Sequence, residues 1–274
     1  MKNTTKDDYI QSIYKVIYYI EKNYNEDLTL EELSKVASFS KYHFHRIFKS
    51  IVGENLSDYI RRVRLSSTTL KFKTNLNITQ IAQISGYETN ASFSKAFKNH
   101  FGITPKEFAQ NAKKKKGNKM LEPKIVNMDP IDVLYVRKTG HYLTSADEAW
   151  KIMVAFVTKY ELFEKVVARY GISHDNPNVI EEHNLRYDAC LELNDSGNPK
   201  GEVSKKQIAG GKYALFVHKG SYKLLGETFR NIGDWIVETG TSLRDEPSFQ
   251  KYLDLDPAEI KEGDLRTELY IPIS

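Results

Sequence analysis

The segment FHRIFKSIVG at residues 44–53 returns 49 residues later as FSKAFKNHFG at residues 93–102. A unit written twice and then abandoned does not make a solenoid, which needs several stacked repeats to bury a continuous core. It asks instead for two copies of one device. Reading backward from each copy, LTLEELSKVASFSKYHFHRIF aligns with NITQIAQISGYETNASFSKAF, with one residue inserted in the second. Thr29 with Glu32, and Asn77 with Gln80, have the capping-box spacing that opens a helix. Leu30, Leu33 and Val36, and then Ile78, Ile81 and Ile84, repeat apolar residues three apart, as one face of a short helix does. A turn follows, ASFS in one copy and SGYET in the other, where Gly86 tolerates backbone angles that other residues resist. Ser40 and Thr89 then stand where N-caps of a second helix belong. Each unit reads as helix, turn, helix.

The second helix of each unit separates into two faces. Phe44, Ile47, Phe48 and Ile51 form an apolar stripe that leaves Tyr42, His45, Arg46 and Lys49 together. Phe93, Ala96, Phe97 and Phe101 do the same for Ala91, Ser94, Lys95 and Lys98. A polar helix face is ordinarily just solvated. The same face built twice without an acidic residue points to nucleic acid. Between the units, SDYIRRVRLSSTTLKFK lacks Gly and Pro and reads as one helix; 17 residues span about 25 Å, enough to hold two recognition helices near the roughly 34 Å separation of successive major grooves. The expectation is a monomer that reads two adjacent grooves of a duplex.

Charge supports a division of labour. Residues 1–120 hold 21 Lys+Arg against 11 Asp+Glu, whereas residues 121–274 hold 19 against 25, so the two parts carry net charges of +10 and −6. A basic part meets a polyanion, and an acidic part does something else. At their boundary NAKKKKGNKM reads as a solvated linker, giving domains at 1–112 and 121–274 around a basic linker at 113–120. No apolar run approaches the roughly 18 residues of a membrane span, and MKNTTKDDYI lacks the apolar core of a signal peptide. One cysteine, Cys190, excludes an internal disulfide framework. The expected setting is the cytoplasm of a bacterium, with no membrane partner.

Residues 7–110 resemble the DNA-binding domain of AraC/XylS-type transcription regulators, through LEELSKVASFS, RIFKSIVGENLSDYIRRVRL and ITQIAQISGYETNASFSKAFKNHFGITPKEF. The resemblance implies an all-α domain of two helix-turn-helix units bound to promoter DNA, with RNA polymerase as a partner and activation as the outcome. Carried over, it places Tyr42, His45 and Arg46, with Lys49 nearby, at the DNA contacts of the first unit, and Asn90, Ala91, Ser94 and Lys95 at those of the second, with Lys98 suited to a phosphate. Ala91 stands where relatives often carry a longer polar side chain; its methyl group suits thymine.

The acidic part also echoes itself, YVRKTGHY at 135–142 returning as FVHKGSY at 216–222. Each ends a strand-like run, IDVLYVR or YALFVH. Helical spacing follows, at 149–160 and 224–237, and then two further strand candidates: VARYGIS and YDACLEL, or SFQKYLDL and TELYIPI. The expected fold is α+β, a duplicated β-α-β-β module with a mixed or antiparallel sheet covered by two helices, its two sheets side by side leaving a groove. Alternation along TELYIPI puts Glu268 and Tyr270 on one face. Tyr135, Trp150, Phe216, Trp235, Tyr252 and Tyr270 are the aromatics available to line a pocket, and aromatic faces with one carboxylate attract an organic cation. An ordinary solvent-facing glutamate is the plainer account of Glu268.

From Glu122 onward the chain is similar to the GyrI-like effector-binding domain, also found in multidrug-responsive and Rob-type regulators, through GISHDNP, LRYDACLEL, GGKYALFVHKGSY, DWIVETGTSLRDEPSFQKYL and TELYIPI. That resemblance implies a small-molecule effector and places Glu268 at the base of an aromatic-lined cavity. Its alternative is a hydrolase of small electrophilic compounds using the same glutamate as a base. His174, Glu181, Glu182 and His183 lack a metal-ligand spacing, and no cofactor motif is present.

Overall fold

The structure is a computed structural model that describes residues 2–114, 122–177, 180–195, 198–254 and 259–274. The chain divides into two units, each with its own core. The first holds seven helices: α1 (Lys2–Asn23), α2 (Leu30–Val36), α3 (Lys41–Val52), α4 (Leu56–Lys71), α5 (Ile78–Ile84), α6 (Asn90–Phe101) and α7 (Pro105–Lys114). Their starts are set locally. Thr29, Ser40, Asn77 and Thr89 each accept a hydrogen bond from the backbone N–H three residues on. Of the two capping boxes expected, the one at α5 is complete, Gln80 returning the bond to Asn77. At α2 the Glu32 carboxylate accepts from Tyr19 Oη at 2.5 Å, which ties α2 to α1 instead. A further box, not among those expected, opens α7: Glu107 accepts from Thr104 N at 2.7 Å and its own N–H reaches Thr104 Oγ1.

The turns of the two units are homologous in shape though not in residue. Ser38 and Gly86 occupy the same place and both take left-handed angles, φ 59° and 76°. A Cβ on Gly86 would stand 2.9 Å from the backbone of Asn25, so this site excludes a side chain twice over. Two small cores result. Phe44 and Phe48 pack with Ile13, Val16, Ile17, Ile20, Leu33 and Tyr59; Phe93 and Phe97 pack with Leu65, Phe72, Ile81 and Ala82. Helix α4 serves both, Leu56, Tyr59 and Val63 facing the first core and Leu65 the second. Its 16 residues give a strut of about 24 Å.

The second unit is one antiparallel sheet with two helices. Its elements are β1 (Lys124–Met128), β2 (Ile131–Thr139), α8 (Tyr142–Lys159), β3 (Val166–Ser173), β4 (Arg186–Leu193), β5 (Ser204–Ile208), β6 (Gly211–Lys219), α9 (Leu225–Thr239), β7 (Phe249–Tyr252) and β8 (Arg266–Pro272). The order across the sheet is β1-β6-β8-β7-β3-β4-β2-β5. The duplicated β-α-β-β module is therefore present, with two corrections. The two sheets are continuous through the pairing of β3 with β7, and each module has an extra first strand that pairs in the other module, β1 beside β6 and β5 beside β2.

The repeat is close in register. Residues of β1, β2 and β4 recur 80 positions later in β5, β6 and β8. Asp175 accepts from Arg186 N at 2.8 Å, and Asp254, 79 positions on, accepts from Arg266 N at 2.6 Å. Gly140 N donates to Leu185 O, and Gly220 N to Leu265 O, both at 2.8 Å. The two-fold relating the halves passes through the Gly171–Gln250 pair. Helix α9 covers one face, Ile232 and Ile236 packing on Ala214, Phe216, Leu269 and Ile271. Helix α8 lies on the same face, where Trp150 Nε1 donates to Tyr187 Oη at 3.0 Å. Among the described residues no helix is long and apolar enough to cross a membrane. The linker expected at 113–120 lies outside the described residues beyond Lys114, where α7 ends.

Candidate DNA interface and effector site

Helices α3 and α6 bury Phe44, Phe48, Phe93 and Phe97 completely, which turns the opposite face outward. On α3, Tyr42, His45, Arg46 and Lys49 are all exposed, and the Arg46 guanidinium lies 5.8 Å from the centroid of the Tyr42 ring, which is 76% exposed. On α6, Asn90, Ala91, Lys95 and Lys98 are exposed and Ser94 is half-buried. Asn90 is already engaged, its Nδ2 donating to Thr79 Oγ1 at 2.7 Å across the turn. Among the described residues Arg46, Lys49, Lys95 and Lys98 form no ion pair, whereas Lys41 is held by Glu31 at 2.8 Å. Four cations on two faces, uncommitted to carboxylates, can meet phosphates without first breaking a bond.

The sheet face turned away from α8 and α9 carries Glu268. Register defines a transverse row on it: Tyr135, Cys190, Tyr170, Lys251, Glu268 and Val217 lie side by side on β2, β4, β3, β7, β8 and β6. Beside the row Phe249 stacks on Tyr270, centroids 4.6 Å apart, and Tyr170 and Tyr213 meet Phe249 edge-on. Glu268 is half-buried and accepts from Tyr270 Oη at 2.7 Å. Burial, and then that hydrogen bond, raises the Tyr270 hydroxyl; burial and the bond to Glu192 do the same for Tyr170, so both remain donors.

The seven residues expected around one cavity do not all gather there. Tyr135 and Tyr270 share the face of Glu268. Phe216 lies on the helix-covered face against Trp235 of α9, centroids 5.2 Å apart, because Phe216 pairs with Leu269 and so points away from Glu268. Trp150 and Tyr252 are on that helix side too, edge to face at 5.9 Å and joined through Tyr187, whose hydroxyl is 2.8 Å from that of Tyr252. The aromatics that do surround Glu268 include Tyr170, Tyr213 and Phe249, which strand alternation on β3, β6 and β7 could have placed once the pairing order was known. Cys190 is fully buried and burial pushes its thiol up to about 12, the behaviour of a packing residue rather than a nucleophile.

The counterpart of Glu268 in the first half is Asp188, and the two differ in what faces them. Asp188 is fully buried and takes a bidentate bond from Arg137, at 2.6 and 2.7 Å, with His174 Nε2 at 2.7 Å and the Lys206 ammonium in contact. Burial pushes this carboxyl up, but Arg137, Lys206 and His174 together outweigh it and hold it well below the usual carboxylate range. In the second half the equivalents of Arg137, Lys206 and His174 are Val217, Val126 and Leu253. Among the described residues Glu268 forms no ion pair with any cation.

Residues 121–274 match the GyrI-like small molecule binding domain, and residues 33–111 match a helix-turn-helix domain. The transcriptional activator AarP of Providencia stuartii is 32% identical over 114 residues, 41% of this chain and 84% of that protein. The multiple antibiotic resistance protein MarA of Escherichia coli is 32% identical over 98 residues, 35% of this chain and 77% of that protein. The solved EcmrR–DNA complex aligns with 89% of this chain and 98% of its own, at a TM-score of 0.48 and 14% identity. The chain belongs to the AraC-type helix-turn-helix regulators that carry a GyrI-like small molecule binding domain.

Proposed function

We propose that this DNA-binding regulator is an activator that engages promoter DNA as a monomer through α3 and α6, acts on RNA polymerase, and responds to a lipophilic cation bound at Glu268. The observation that carries the effector class is the contrast between Asp188 and Glu268. One sheet position holds a carboxylate in both halves; in the first it is matched by an arginine, a lysine and a histidine, and in the second those three are two valines and a leucine. A half-buried carboxylate that forms no ion pair among the described residues lacks the close counter-charge that Asp188 has. A ligand with apolar bulk and one positive charge supplies it, and the tyrosine faces add cation–π attraction. The relative AarP, named as an activator, supports the activator part of this reading. The domain acts by binding rather than by turnover.

Calorimetric titration of wild type and Glu268→Gln with cationic and neutral ligands of matched shape tests this. We expect the cation to lose roughly 10- to 100-fold in affinity, as removal of one charge-assisted contact does, and the neutral ligand to change little. Equal losses for both ligands would assign Glu268 to the fold. Turnover of a compound that Glu268→Gln abolishes would establish a hydrolase.

A further inference from the structure

The face around Glu268 carries a second carboxylate and a cation that the reading above leaves unused. Glu192, on β4, accepts from Tyr170 Oη at 2.7 Å, as Glu268 does from Tyr270. Both tyrosines close on Phe249, one edge-on at 5.8 Å and the other stacked at 4.6 Å, so the two carboxylates flank one aromatic cluster. Lys251 stands between them, paired in register with Tyr170 on one side and with Glu268 on the other. A lysine opposite a glutamate on one sheet face ordinarily closes an ion pair. Among the described residues this one does not; its ammonium lies 6.0 Å from the Tyr170 ring centroid instead. Its equivalent in the first half is Ile172, so the second half gains this cation while it lacks the arginine, lysine and histidine that surround Asp188.

Glu192, Glu268 and Lys251 together leave a single negative charge, which one monocation cancels, while Arg244, over Tyr213, is held by the carbonyls of Gly210, Lys212 and Ile273. We propose that Lys251 sets the valence of the effector, admitting monocations at Glu268 and excluding dications by standing beside Tyr170, the tyrosine that holds Glu192. This rests on Glu268 being the effector carboxylate. A second positive charge extended past Tyr170 toward Glu192 meets the Lys251 ammonium on a partly buried face, where like charges repel more strongly than in water. Without Lys251 the face holds two carboxylates spaced across an aromatic cluster and takes a dication.

The test compares a triphenylalkylphosphonium with the bis-phosphonium made by linking two such groups through a short alkyl chain, titrated into the full chain. Wild type should prefer the monocation. Lys251→Gln should move the ratio of the two affinities toward the dication by roughly 10- to 100-fold, given the strength of close charge pairs away from water. Adding Glu192→Gln to Lys251→Gln should reverse that gain while leaving monocation binding sensitive to Glu268→Gln. A ratio that stays within about twofold in Lys251→Gln, with monocation binding still dependent on Glu268, overturns the role of Lys251 and spares the effector reading. Absence of cation binding to wild type overturns both.

Discussion

At the scale of single residues, the two turns offer a controlled comparison, because Ser38 and Gly86 take the same left-handed backbone in equivalent places. Only Gly86 is also pressed against backbone, at Asn25. Gly86→Ala should therefore destabilise the helical unit by about 1–3 kcal/mol, combining the backbone penalty with a contact that cannot yield. Ser38→Gly should stay within about 0.5 kcal/mol of wild type, since relief of a left-handed side chain is offset by the extra freedom of glycine in the unfolded chain. Urea unfolding of both variants measures the difference; equal effects would remove Asn25 from the explanation. The glycine was legible in the sequence because its requirement is local. The Asn25 contact was not, because it joins residues 61 positions apart and no pattern in either segment announces it.

At the scale of elements, α3 and α6 are built alike and equipped unequally. Arg46 and Tyr42 on α3 are long, exposed and free to reach base edges, while on α6 Asn90 is tied to Thr79 and Ala91 offers a methyl group. Arg46→Ala should lose about 1–3 kcal/mol on the preferred sequence and relax preference at one base position, as loss of a bidentate base contact does. Lys98→Ala should weaken all duplexes alike and lower the salt slope by roughly 1. Binding isotherms over a salt series, on specific and scrambled duplexes, separate the two; uniform weakening by both variants would refute the division. The helices could be read before the fold because caps, apolar spacing and terminal glycines are all carried within about a dozen residues. Strands β1 and β5 escaped notice for the opposite reason: KIVNM and SKKQI are five residues each, alternate weakly, and gain their pairing from the other module.

At the scale of the whole molecule, duplication places one carboxylate in two environments and lets the surroundings decide its task. The pair lies in the last strand candidates of the two modules, where RYDACL and RTELYI align with Asp188 over Glu268. What the carboxylates face could not be read there, because Arg137, His174 and Lys206 arrive from three other segments. The consequence is opposite effects of similar substitutions. Asp188→Asn leaves Arg137 and Lys206 buried beside a neutral amide, and loss of one partner from a buried charge cluster costs about 3–5 kcal/mol. Glu268→Gln keeps an acceptor for Tyr270 and removes no ion pair, so stability should change by less than about 1 kcal/mol while cation binding is lost. Acid supplies an independent check. The Asp188 carboxyl is depressed in the folded state, so its stabilisation is complete above the unfolded carboxylate range near pH 4 and is lost as pH falls below that toward the folded value. Wild type should therefore lose stability steeply below about pH 4, and Asp188→Asn should begin lower and fall less over the same interval. Parallel acid profiles for wild type and Asp188→Asn would place the acid sensitivity elsewhere in the chain.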